Sequence, residues 1–227
     1  MIAQGVGRID NPTYIVAMTD SREYYHRHLP HWQPAGATFF VTFRLKDSLP
    51  YEVIESLREE RDEEKHKLFE LAVDKRKLMG DLDERRSFGR WDGYLDKAKA
   101  GPRWLSQPEV ANIVKEALHY RDKRQYDLFA FSIMPNHVHA VFAPLQQMDE
   151  SYFPLNYILQ FLKRRTARQS NKLLGREGAF WQDESYDRAI RNNEEFQRIV
   201  LYVLENPVKA GLASKWEDWQ WTYCKSD

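Results

Sequence analysis

The sequence predicts an α+β fold, a ferredoxin-like sandwich with a central antiparallel sheet, helices on one face, and a long helical insertion after the first strand. Three observations predict it. Runs of β-branched and aromatic residues alternate with stretches of helical periodicity, in the order strand, helix, hairpin, helix, strand, helix. One pair of strands is separated only by Pro135-Asn136, a turn dipeptide that joins antiparallel neighbours. Between the first strand and the next core helix lie some fifty residues, 51–104, whose apolar stripe is too thin for a core element.

The first strand is read in Gly36–Leu45, where Thr38, Val41 and Thr42 are interleaved with Phe39, Phe40 and Phe43. Pro50 then opens a charged helix over Tyr51–Met79. Leu57, Leu68, Leu71 and Leu78 are its main apolar residues, so it reads as a largely solvated arm. Gly80 to Gly101 is rich in glycine and reads as loop. A core helix follows over Pro108–Leu118, with Val110, Ile113, Val114, Ala117 and Leu118 at helical spacing and Ser106 or Gln107 near its cap. The hairpin strands are expected at Tyr126–Met134 and Val138–Pro144. A second amphipathic helix covers Phe153–Leu174 and stops at Gly175. A short strand or extended segment lies within Phe180–Ile190. The last helix covers Glu194–Glu205 and ends before Pro207, since the residue ahead of a proline is disfavoured in a helix. The expected organisation is an N-terminal extension over 1–30, a single domain over 31–223 with its helical insertion at about 51–104, and a tail over 224–227.

Composition narrows the function. The 227 residues carry 34 basic and 34 acidic side chains, which excludes coating of nucleic acid by bulk charge but not a local basic groove. Such a bias exists between Phe153 and Asn192. Lys163, Arg164, Arg165, Arg168, Lys172, Arg176, Arg188 and Arg191 outnumber Glu177, Asp183, Glu184 and Asp187 there. A solvated helix face is the alternative reading of that run. Cys224 is the only cysteine, so an internal disulfide and a cysteine-built zinc site are excluded. With no secretory leader and no apolar run near the length of a membrane span, a cytoplasmic protein with no membrane association is expected.

Two features carry chemistry. In Met134-Pro135-Asn136-His137-Val138-His139, the histidines are two apart on a strand, so both imidazoles leave one face and could share a divalent ion. An edge pair of histidines, one hydrogen-bonded and one wet, is the alternative. Nucleotide hydrolases with three alternating histidines are disfavoured because position 141 is Val. In Tyr202-Val203-Leu204-Glu205-Asn206-Pro207, Tyr202 and Asn206 lie one above the other on a helix. Tyrosine can attack a polarised phosphate and the amide oxygen of Asn206 could join the same metal. The alternatives are a half-buried tyrosine and a C-terminal cap.

Taken in order, Met-Pro-Asn-His-Val-His, the basic helix, Trp181-Gln182, Tyr186-Asp187-Arg188-Ala189-Ile190-Arg191-Asn192 and Tyr202-x3-Asn206-Pro-Val-Lys-Ala-Gly resemble the REP-associated tyrosine transposases. These are relatives of the single-tyrosine HUH transposases of small insertion sequences, and the resemblance runs from His31 to Trp221. It implies that His137 and His139, with Asn206 as third ligand, hold Mg²⁺ or Mn²⁺, and that Tyr202 is the nucleophile. It also implies a single-stranded DNA endonuclease and strand transferase that acts on palindromic hairpin repeats through a 5′-phosphotyrosine link. Lys163, Arg164, Arg165, Arg168, Arg188 and Arg191 are the expected DNA contacts. A monomer and a homodimer are both compatible with the family. A catalytically silent hairpin-binding protein and a metal nuclease that uses water stay open as alternatives, and Tyr186 or Tyr157 would be the nucleophile if Tyr202 is not.

Overall fold

The computed structural model describes residues 24–26, 30–56, 59–60, 63, 89, 92–96 and 101–226. The chain divides into two compact units, one of Met1–Lys46 with Trp104–Asp227 and one of Asp47–Arg103. The insertion expected at about 51–104 overlaps the second unit in sequence. Within it residues 51–56 are helical, and most of the arm expected over Tyr51–Met79 lies outside the described residues.

The first unit is built on strands β1 (Tyr24–His26), β2 (Pro30–Trp32), β3 (Thr38–Arg44), β4 (Tyr126–Ile133), β5 (His137–Pro144), β6 (Tyr186–Ile190) and β7 (Thr222–Cys224). Its helices are α1 (Pro108–Arg121), α2 (Leu155–Leu173) and α3 (Asn193–Lys209). β1 and β2 pair antiparallel as a separate two-stranded ribbon, inside and just beyond the stretch expected as an extension. The others form one five-stranded sheet in the order β6-β3-β5-β4-β7, every pair antiparallel. The Pro135-Asn136 hairpin is present, closed by Met134 N–H donating to the His137 carbonyl at 2.8 Å.

Strand alternation divides the sheet into two faces. Phe39, Val41 and Phe43 of β3 join Val138, Ala140 and Phe142 of β5 in the main core, together with Phe131 and Ile133 of β4. α1 supplies Val110, Ala111, Val114, Ala117 and Leu118 to it, and α2 supplies Leu155, Ile158, Leu159 and Leu162. The expected α+β architecture, with a helical pair on one face of an antiparallel sheet, is therefore present. The third helix, α3, lies on the other face, where the ring of its Phe196 meets Phe129 edge-on at 5.1 Å. A register shift between Leu128 and Ala130 makes that contact, because the extra residue, Phe129, turns to α3 while Leu128 and Phe131 stay in the main core.

Several boundaries differ from expectation, two of them with consequences. α3 continues through Pro207 to Lys209 instead of ending at Glu205. The proline forfeits only one backbone donor, and the helix is closed beyond it by a Gly cap. Gly211 has φ +69°, its N–H donates to the Val208 carbonyl at 3.0 Å, and Leu212 N–H donates to the Pro207 carbonyl at 2.8 Å. This is the Schellman pattern, which removes any need for Asn206 as a cap. The second difference is Cys224, expected in a tail, which instead pairs with Ala130 as the end of edge strand β7. Three-residue strands give too little periodicity to read.

Candidate active site

Register carries the polar residues into one row. Tyr186 lies opposite Thr42, Thr42 opposite His139, His139 opposite Ser132, and Ser132 opposite Thr222. The row crosses all five strands on the face that α3 covers. His137 occupies the next position, opposite Arg44. Both histidines are fully buried at 0% exposure, so their ring nitrogens must find partners within the protein.

Those partners are specific. His137 Nδ1 lies 2.6 Å from Asn136 Oδ1. His139 Nδ1 lies 2.8 Å from Thr42 Oγ1. The two remaining ring nitrogens, His137 Nε2 and His139 Nε2, face each other 3.0 Å apart. The buried pair could hold a metal ion.

α3 brings its two residues to the same place. Asn206 is 1% exposed and its Nδ2 lies 3.2 Å from His139 Nε2. A half-turn of the amide puts Oδ1 at that position, since the two ends are nearly isosteric. Asn206 is an interior, buried residue of α3, so the C-terminal-cap alternative is excluded. One turn earlier, the half-buried Tyr202 ring lies 5.8 Å from the His139 ring and 6.0 Å from Phe40, edge-on to it. Lys209 Nζ is 4.8 Å from the Tyr202 ring centroid.

The structure thus brings together His137, His139, Asn206 and Tyr202. It does not bring the expected DNA contacts to them as a group. α2 packs on the opposite face of the sheet, with Arg164, Arg165 and Arg168 exposed on it. The Arg165 guanidinium lies 5.0 Å from the exposed Tyr120 ring, which Arg124 also approaches at 4.2 Å. Lys163 is half-buried and its ammonium donates to the Gln182 and Asp183 carbonyls, both at 2.9 Å. It ties α2 to the segment before β6. Arg188 is on the site face, but its guanidinium pairs with Glu195 at 2.8 Å, with side chains 9% and 4% exposed. Lys163 and Arg188 therefore have structural work that the sequence does not reveal. Arg191 is exposed at the end of β6.

Tyr157 is exposed on α2, across the sheet from the histidines. Tyr186 is nearer, in the polar row and 6.0 Å from Phe40. Asn136 and Thr42 are the site residues that sequence reasoning missed. Asn136 was legible only as a turn residue, and the strand register that puts Thr42 beside His139 is not contained in either segment alone.

No protein-family model matches the chain. A protein of Haemophilus influenzae named "Putative REP-associated tyrosine transposase" is 28% identical over 103 residues, 43% of this chain and 58% of that relative. The REP-associated tyrosine transposase of Escherichia coli K12 is 26% identical over 96 residues, 42% and 53% of the two chains. The chain spans about half the length of these curated relatives. A solved structure of a REP-associated tyrosine transposase bound to a REP hairpin superposes with a TM-score of 0.47 at 17% identity, over 90% of this chain and 82% of that one. Over the matched segments, this chain is similar in sequence to REP-associated tyrosine transposases.

Proposed function

We propose that the protein is a metal-dependent nicking and joining enzyme for single-stranded DNA carrying a palindromic hairpin, with Tyr202 as nucleophile. The convergence of Tyr202 and Asn206 from one helix onto two buried histidines on the facing strand carries this reading. His137 Nε2, His139 Nε2 and the amide oxygen of Asn206 would hold Mg²⁺ or Mn²⁺. When bound, that ion supplies Lewis-acid polarisation of the scissile phosphate.

The protein's own residues do the rest. The Tyr202 oxygen forms a bond to phosphorus as the bond from phosphorus to the 3′-oxygen breaks. The tyrosine proton is lost and the departing 3′-oxygen gains one, leaving a 5′-phosphotyrosine and a free 3′-hydroxyl. A second 3′-hydroxyl reverses the step, so strand transfer needs no nucleotide cofactor. Phe40 and Lys209 both contact the Tyr202 ring, which limits the rotamers from which it can attack. Arg164, Arg165 and Arg168, exposed on α2, would contact phosphates, as would the exposed Arg191. Lys163 and Arg188 contribute through the scaffold.

Incubation of the protein with 3′-end-labelled single-stranded hairpin DNA and Mn²⁺, followed by boiling in detergent, tests the reading. A labelled band at the protein's mass is expected and is absent from Tyr202→Phe. Cleavage without a retained label points to a nuclease that uses water; binding without cleavage points to a silent hairpin-binding protein.

A further inference from the structure

The two histidines are held by different kinds of partner, and the difference has chemical content. A neutral imidazole carries one proton, and the nitrogen that lacks it is the one able to bind a metal. Asn136 Oδ1 is only an acceptor, so its 2.6 Å contact places the His137 proton on Nδ1. Thr42 Oγ1 both donates and accepts, so its 2.8 Å contact to His139 Nδ1 is compatible with either tautomer. The bare His137 Nε2 lies 3.0 Å from His139 Nε2. Two lone pairs at that distance repel, so a proton or a cation is favoured between them.

The identity of residue 136 is not explained by its backbone. Asn136 is not among the residues with positive φ, so a left-handed backbone is not what favours asparagine there. Its side chain is 3% exposed and directed to His137. Thr42 is likewise buried, at 5%, in a strand whose neighbours on the other face are the apolar Val41 and Phe43.

We infer that Asn136 and Thr42 are positioning residues of the metal site: Asn136 locks His137 as the Nδ1–H tautomer, and Thr42 turns its hydroxyl to accept from His139 Nδ1–H when the metal binds. Asn136 keeps one ligand ready at all times. Thr42 lets the other change tautomer, so the metal-free pair can share a proton and the loaded pair can give both Nε2 atoms to the ion. The metal half of this inference rests on the reading proposed above; the tautomer of His137 does not.

The test uses the full chain with ¹⁵N-labelled histidine. Long-range ¹H–¹⁵N correlation of metal-free protein at pH 8 is expected to show His137 protonated at Nδ1, with His137→Gln giving the assignment. A His137 ring protonated only at Nε2 overturns the inference. Calorimetry with Mn²⁺ alone then follows. Asn136→Ala and Thr42→Val are expected to bind it about 10–100-fold more weakly than the wild type, the usual effect of removing such partners. Asn136→Asp and Thr42→Ser keep the acceptor and are expected to stay within a few-fold of wild type. Equal losses in Asn136→Asp and Asn136→Ala, or no loss in Asn136→Ala and Thr42→Val, overturn the inference. A wild-type chain that binds no Mn²⁺ overturns the metal reading instead, and the ring-nitrogen spectrum still decides the role of Asn136.

Discussion

Replacing Glu195 by Ala should destabilise the protein by about 3–5 kcal/mol, the cost of leaving one member of a buried ion pair without the other. The structure sets the magnitude. The Arg188–Glu195 contact is 2.8 Å and both side chains are almost wholly removed from water, so the 0–1 kcal/mol typical of exposed pairs does not apply. Glu195 also accepts from the Arg191 backbone N–H at 3.1 Å, while its own N–H donates to the Asn192 side chain at 2.8 Å. It therefore fastens the end of β6 to the first turn of α3, the helix that carries Tyr202. Arg198, at 3.6 Å and half exposed, cannot take over the role. Urea denaturation followed by circular dichroism measures the loss. The double variant Arg188→Met/Glu195→Leu should recover most of it, because two packed apolar side chains need no counter-charge. A Glu195→Ala cost below about 1 kcal/mol would refute the reasoning, since it would place the pair in the exposed class. So would an Arg188→Ala variant that keeps full stability but loses DNA affinity, which would return Arg188 to the DNA surface.

Other perturbations separate scaffold from surface. Changing Arg164, Arg165 and Arg168 together to Ala should lower the slope of log affinity against log salt by about 0.7 per lost contact to a single strand; fluorescence anisotropy over a salt series reads it. Lys163→Met should leave that slope unchanged and lower the urea midpoint, because its ammonium is engaged by two carbonyls. Gly211→Ala should cost about 1 kcal/mol in the same denaturation assay, since φ +69° penalises a Cβ. His119 has its pKa held below 6.5 by burial of its ring and by the charge of Lys115, against an opposing effect of Asp122. Its neutral form is thus favoured in the folded state. The stability it contributes is present above pH 6.5 and is lost as pH falls through the folded value. Denaturation midpoints across that window should fall less steeply for His119→Gln than for wild type.

The sheet was legible because its long strands state their period. Thr38–Arg44 and the hairpin around Pro135-Asn136 are unambiguous in pattern, and α1 and α2 repeat apolar residues at helical spacing. β7 was not legible, since three residues ahead of a chain end hold no periodicity and its pairing with β4 is a long-range choice. The end of α3 was misplaced because Pro207 is a strong local stop signal, overridden here by burial of Leu204, Asn206 and Pro207 and by the cap at Gly211. The histidine pair and the Tyr202–Asn206 pair were each visible as spacing. That they face each other follows from α3 crossing the same sheet face as His139, a tertiary fact absent from either motif. Charge alone does not separate two kinds of basic residue. Lys163 and Arg188 stand in a basic run with Arg164, Arg165, Arg168 and Arg191, and only the partners Gln182, Asp183 and Glu195 distinguish them.

The most direct measurement is to locate the covalent bond. Protein trapped with hairpin DNA and Mn²⁺, then digested and sequenced by mass spectrometry, should carry the nucleotide adduct on Tyr202, with none formed by His139→Ala. An adduct on Tyr186, or an adduct that persists in Tyr202→Phe, would contradict the account.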